Sequence, residues 1–149
     1  MSNNKKQLPR GLRNRNPLNI RRTGAPWKGL AADQSGDKAF CVFSEMKYGW
    51  RAAFKLLGDT YYTKLGLRTL NDIIGRWAPP TDGNDTEDYI SRVQRATCIN
   101  STHDVLPPPR RAPALWRRIA WAMAQVENGG ATMLYSDMEA GFQLWVNGL

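Results

Sequence analysis

Cysteine and histidine are scarce in this 149-residue chain, which holds two cysteines, Cys41 and Cys98, and one histidine, His103. Two cysteines are too few for a disulfide framework, and no Cys-x-x-Cys or Cys/His cluster offers a metal site. A single histidine excludes most His-based catalytic designs, unless His103 is itself the base. No apolar run approaches the length of a membrane span. No apolar core follows the polar start Met1-Ser2-Asn3-Asn4-Lys5-Lys6, so the sequence predicts no secretory leader and synthesis as a soluble cytoplasmic protein.

Positive charge and aromatic rings are plentiful. Lys and Arg number 21 against 13 Asp and Glu, a net charge of +8. The excess favours an anionic partner: nucleic acid, an acidic membrane surface or the bacterial wall. Six Trp and five Tyr suit a carbohydrate site or a tight core equally well. The length is room for one domain, and the ordinary share of apolar and charged residues excludes a disordered acidic tail or a bare coiled coil.

Residues 1–9 read as a flexible basic tail and 10–149 as one domain. From Arg10 to Lys47, Asn16-Pro17, Gly24, Pro26, Gly29 and Gly36 predict loops. Leu18 to Ile20 and Phe40 to Phe43 are short enough to pair as a small hairpin-like element. A helical pattern begins at Tyr48, with Trp50, Ala53, Phe54, Leu57 and Tyr61 on one face. A second helix spans Thr69 to Trp77 and stops at Pro79-Pro80. A third is capped by Asn84 or Asp85 and buries Tyr89, Ile90, Val93 and Ala96. A long helix from Ala112 to Glu127 is ended by Asn128-Gly129-Gly130. Ser136-Asp137-Met138-Glu139 has capping-box spacing and predicts the start of a last helix. The fold class is mainly α (α+β), with a loop-and-strand N-terminal quarter.

Glu127 is the leading chemical candidate. It closes a well-patterned helix at the edge of its apolar stripe. The partial negative charge of a helix C-terminus and partial burial both disfavour its ionised form. Both push its pKa upward, as a general acid at neutral pH requires. Glu45, in Phe43-Ser44-Glu45-Met46, is the second acidic candidate, although complementing the dipole of the following helix explains it more simply. Glu87 and Asp88 suit a helix start, and the capping box accounts for Glu139. Trp50, Trp77 and Trp116 sit on apolar stripes and read as core. Trp27, in a Pro26-Trp27-Lys28-Gly29 loop, either packs over the domain or stacks on a sugar. Asn14, Asn16 and Asn19 lie in a loop suited to binding sugar amides or to forming Asx-turns. Tyr135, just after the glycine pair, is expected to line the same cleft as Glu127. The basic segment Arg10 to Arg22 and the cluster Arg110, Arg111, Arg117, Arg118 suit phosphates or a solvated face. No helix-turn-helix, zinc finger or RNA-binding signature accompanies them.

A set of motifs spans roughly residues 10–145. It starts with Arg10-Gly11-Leu12-Arg13-Asn14-Arg15-Asn16-Pro17-Leu18-Asn19-Ile20-Arg21 and continues through Trp27-Lys28-Gly29, Phe40, Phe43 and Gly49-Trp50-Arg51-Ala52. Trp77-Ala78-Pro79-Pro80 and Asn84-Asp85-Thr86-Glu87-Asp88-Tyr89-Ile90 follow, then Glu127-Asn128-Gly129 and Tyr135-Ser136-Asp137. Together these resemble a family of small phage and prophage proteins described as virion proteins or lysozyme-like muralytic enzymes. The chain departs from that pattern at Arg15 and Leu18, where Asn and Gly are usual; Leu18 implies that its backbone needs no positive φ. Ile119 to Gly129 is similar to the catalytic helix of lytic transglycosylases. The loop Asn16 to Ile20 resembles a segment of lysozyme-superfamily glucosaminidases, where the catalytic Glu precedes it. Here residues 1–15 hold no acid, which implies a circularly permuted order.

The resemblance thus implies a lysozyme-like domain that cleaves peptidoglycan glycan strands as a lytic transglycosylase or muramidase of phage origin, acting at the wall as a virion component or an endolysin. Glu127 is the implied acid/base, with Glu45 beside it and Asn14, Asn16, Asn19, Trp27 and Tyr135 around the substrate. No metal or cofactor is implied; the partners are peptidoglycan and other virion proteins, and nucleic acid is disfavoured. The alternatives are a non-catalytic virion structural protein and a basic nucleic-acid-binding module.

Overall fold

In the computed structural model, which describes residues 7–149, helices dominate. The N-terminal tail expected over 1–9 falls outside the described residues up to position 6; residues 7–9 have no regular structure, and α1 begins at Arg10 (Arg10–Arg13). The helix expected from Tyr48 begins slightly earlier, as α2 (Met46–Lys55), and runs on into a π-helical segment, Leu56–Lys64. Its predicted apolar face is the buried one: Trp50, Ala53, Phe54 and Leu57 are at most 2% exposed. Widening to i→i+5 geometry accompanies a close approach by the last helix. A Cβ on Gly58 would lie 2.5 Å from the Trp145 ring, and the indole Nε1 of Trp145 donates to Asp59 at 3.1 Å.

The next three helices match their sequence signals in position, but on the second of them Ala96, expected to be buried, is exposed, and Thr97 takes the inner face instead. α3 (Leu70–Trp77) is capped by Thr69, whose side chain accepts from the Asp72 amide. α4 (Thr86–Thr97) is capped by Asp85, which accepts from the Asp88 amide, with Glu87 and Asp88 in the first turn. α5 (Pro113–Glu127) has Pro113 at its first position and buries Trp116, Ile119, Met123 and Ala124. Each of its large buried side chains contributes about 1.5–3 kcal/mol of burial. Gly129 and Gly130 take φ values of +60° and +74° and end it as expected.

α6 (Tyr135–Val146) corrects the capping-box expectation. Its N-cap falls two residues early, at Leu134 and with no side-chain cap, so Ser136 lies inside the first turn. Glu139 instead pairs with Arg117 on α5, Oε2 2.7 Å from its Nε. α6 packs along α2, with Phe142 edge-on to Phe54 at 5.0 Å.

The N-terminal quarter is irregular. The pairing predicted between Leu18–Ile20 and Phe40–Phe43 is reduced to one antiparallel bridge beside it, Arg21 with Phe40, and Phe43 instead bridges to Leu30, outside the predicted pair. Side chains take the place of a longer ladder. Asn16 is fully buried, accepts from the Ile20 amide at 2.9 Å and donates to the carbonyls of Ile20 and Cys41. Asp37 is a second hub: it accepts from Arg10, from Asn14 and from the amides of Ala39 and Phe40. The Arg10 guanidinium beside it holds its carboxyl far below the ordinary carboxylate range. No helix among the described residues is long and apolar enough to cross a membrane.

Candidate active site

Four elements meet where α5 ends. Glu127 is the last residue of α5, Tyr89 projects from α4, Trp77 closes α3, and Asn19 comes from the loop between α1 and α2. Asn19 Nδ2 donates to Glu127 Oε1 at 3.0 Å, and the Tyr89 hydroxyl donates to Oε2 at 2.9 Å. The indole Nε1 of Trp77 donates to the Leu18 carbonyl at 3.2 Å and also faces the carboxylate as a weaker donor. Both oxygens are therefore held by neutral donors, and among the described residues no Lys or Arg is hydrogen-bonded to either. Burial pushes the Glu127 pKa up, and the donors from Asn19, Tyr89 and Trp77 offset part of the rise. Burial, and the charge of Glu127, hold the Tyr89 hydroxyl protonated far above neutral pH.

The local sequence explains how the loop reaches the helix. Asn19 has φ of +52°, a left-handed conformation that Asn tolerates better than most residues. Leu18 is fully buried, and the positive φ values fall on Arg15 and Asn19 beside it, as a side chain at position 18 requires. Asn128 ties the end of α5 to the loop, donating to the carbonyls of Pro17 and Ala124 at 2.8 and 2.9 Å. α1 closes over this junction through Gly11, where a Cβ would lie 2.5 Å from Asn128 Oδ1.

Glu127 opens onto a cleft of about 310 Å³. Trp27, Phe40, Tyr61 and Trp77 supply aromatic walls, with Tyr61 edge-on to Trp77 at 5.5 Å. Arg76 and Asn84 add polar groups. The one other carboxylate in the lining is Asp82, 4.0 Å from Arg21. Among the described residues, no group of three or more His, Cys, Asp or Glu is arranged to hold a metal.

The structure sorts the sequence candidates. Glu127, Asn19 and Trp27 share the cleft. Glu45 does not join them: it precedes α2 as its N-cap residue, its side chain is 59% exposed, and its nearest ionic partner is Lys47 at 3.9 Å. Asn14 is buried and donates to Asp37, and Asn16 organises the loop, so both build the scaffold. Tyr135 lies elsewhere, against Trp121 at 5.6 Å in a separate depression that excludes Glu127. Its place as the first residue of α6 turns it away from the end of α5. Trp77, read as core, is half-buried and lines the cleft. Tyr89 is the functional residue the pattern concealed. The one available signal was a phenol on a buried helix face, whose hydroxyl must find a partner. Three of the four clustered arginines are engaged within the fold: Arg110 with the Val146 carbonyl, Arg117 with Glu139 and Arg118 with the Thr97 carbonyl.

No family model matches the chain. It is similar to Protein P5 of Pseudoalteromonas phage PM2, with 37% identity over 140 residues that cover 92% of this chain and 82% of P5. At this identity and coverage the chain belongs to the family of phage PM2 Protein P5.

Proposed function

We propose that the protein cleaves the glycan strands of bacterial peptidoglycan, with Glu127 as the single general acid and base, in the service of a bacteriophage. The observation that carries the reading is the carboxyl itself: raised in pKa, held by neutral donors, and opening on an aromatic cleft. Structural carboxylates are normally paired with cations, whereas a pKa raised by burial beside an open cleft is the arrangement of a catalytic acid. Aromatic walls suit the apolar faces of sugar rings. The cleft's other acid, Asp82, is half-exposed and lies 4.0 Å from Arg21, outside hydrogen-bond distance, and Glu127 is the carboxyl raised in pKa there, which favours chemistry that needs one carboxylate.

In that scheme the protonated Glu127 gives its proton to the glycosidic oxygen as the bond to the anomeric carbon breaks. The resulting carboxylate is stabilised by Asn19 and Tyr89. It then takes the proton of the attacking hydroxyl, either the 6-hydroxyl of the same sugar or water. The Tyr89 hydroxyl also lies 3.4 Å from the Met123 carbonyl. It can donate there while Glu127 is protonated and turn to Glu127 once the proton has left. Binding by remote parts of the strand would fall to Trp27, Tyr61 and Trp77.

The test is clearing of purified Gram-negative sacculi by the wild type and by Glu127→Gln. Clearing by the wild type and none by a folded variant supports the reading; full clearing by the variant removes Glu127 from it. No clearing by the wild type across a range of pH leaves the virion structural role as the function. Mass spectrometry of the fragments then separates the chemistries: 1,6-anhydro ends mark a transglycosylase and reducing ends a hydrolase.

A further inference from the structure

The cleft of Glu127 is one of three depressions that share walls. A second, of about 320 Å³, shares Asn84 and Glu127 with it. A third, of about 420 Å³, shares Arg92 and Val126 with the second. Charge changes along this succession. The first balances Arg21 and Arg76 against Asp82 and Glu127. The second is acidic, with Asp85, Asp88 and Glu127 against Arg92. The third holds Arg92, Arg117 and Arg118 and no acid in its lining.

These arginines keep binding capacity. Arg92 has Asp88 at 3.0 Å, Arg117 has Glu139 at 2.7 Å, and Arg118 donates to the Thr97 carbonyl. Each guanidinium carries five donors, so each retains some for an incoming anion. Trp121, Gln125 and Tyr135 complete the lining, and Tyr135 is 58% exposed. Three guanidinium groups, two of them paired from outside the lining by Asp88 and Glu139, beside the exposed Tyr135 and the half-buried Trp121, fit a ligand with carboxylates and apolar groups rather than a neutral sugar.

We propose that this third depression binds an acidic peptide, the carboxylate-bearing stem attached to the glycan strand, while the strand occupies the cleft of Glu127. The proposal rests on the glycan-cleaving reading above. Reach is compatible. Val126, on the shared wall, adjoins Glu127 in the chain. Arg118, nine residues before it, lies about 14 Å away along the helix axis. An extended peptide of four residues spans up to about 14 Å. The protein would then select strands that still carry their peptides.

The test measures binding of the free stem tetrapeptide (alanine, γ-linked glutamate, diaminopimelate, alanine) by NMR titration. The proteins are wild type, Glu127→Gln, Tyr135→Ala and Arg92→Ala. Wild type and Glu127→Gln should bind alike, and each of the other two at least fivefold more weakly. A peptide with amidated carboxylates should bind at least tenfold more weakly than the free acid. Absence of binding, or binding indifferent to amidation and to both substitutions, overturns the proposal. Cleavage of intact and peptide-stripped glycan is scored separately. Peptide binding without any cleavage removes the glycosidase reading and leaves the peptide site standing. Equal cleavage of both glycans with no peptide binding removes the site and leaves the glycosidase.

Discussion

Asp37 and Glu127 are both withdrawn carboxylates, and the protein treats them in opposite ways. Asp37 sits in the irregular N-terminal quarter, 4% exposed, with a guanidinium, a side-chain amide and two backbone amides pointing at it. Its charge is welcome, and its pKa falls. Glu127 sits at the end of a helix, met by an amide, a phenol and an indole but, among the described residues, by no cation. Its charge is tolerated only in part, and its pKa rises. Asp37 shows how this fold satisfies an acid meant for stability. Glu127 shows an acid left short of that, where a cleft gives it access to a ligand.

The largest expected effect is on activity at Glu127. Glu127→Gln should lower sacculus clearing by about 10²–10⁴-fold. The same substitution should raise the melting temperature at neutral pH. The sign follows from linkage: with a folded pKa above the unfolded one, ionisation favours unfolding, a penalty absent below the ordinary glutamate range that grows as pH rises through the folded value. Calorimetry at pH 4 and pH 7.5 checks it, and a variant less stable than wild type at pH 7.5 would show that the carboxylate is structural.

Asp37→Asn should give the mirror image. Clearing per folded molecule should stay within about twofold, while stability should fall by about 2 kcal/mol, since charge-assisted bonds to a half-exposed Arg10 are weakened but not worthless. Urea midpoints measure this. The wild-type contribution is complete above the ordinary aspartate range and is lost as pH falls toward the depressed value. A midpoint difference that persists undiminished at pH 2 would contradict it.

Tyr89→Phe tests the donors. The phenol lowers the Glu127 pKa, so its removal should move the alkaline limb of the pH–rate profile upward, with the fold kept. Asn19→Gly, which tolerates the positive φ but has no amide, should shift it in the same direction. An unmoved profile in both variants would detach these donors from the chemistry. The smallest effect is expected at Glu45, where Glu45→Gln should change activity less than twofold and stability by about 0.5 kcal/mol or less.

The helices were legible because their signals are local. Apolar spacing, Pro113, the Asp85 cap and the glycine pair at 129–130 all act within a turn or two. The start of α6 was misread because Glu139 found a partner on another helix, Arg117, which no spacing rule registers. The same division runs through the site. Glu127 stood out by its place at a helix end. Its donors did not, since Asn19 is 108 residues away and Tyr89 is 38. Glu45 was attractive as a second acid because spacing cannot show which loops converge. Asn14 and Asn16 were attractive because an asparagine-rich loop looks alike whether its amides face a ligand or its own backbone.

The separation of Asn19 from Glu127 has a consequence for when the protein becomes competent. The bond between them closes a long loop, and closure over such distances is among the slower steps of folding. A chain emerging from the ribosome completes α2, α3 and α4 before the last turn of α5 exists. The carboxylate and its donors therefore come together only after most of the chain has been made. A product truncated before α5 is complete would lack the acid and also the packing of α6 against α2, so the cleft itself forms only with the nearly complete chain. On the proposed reading of the site, activity arrives only with nearly full-length protein.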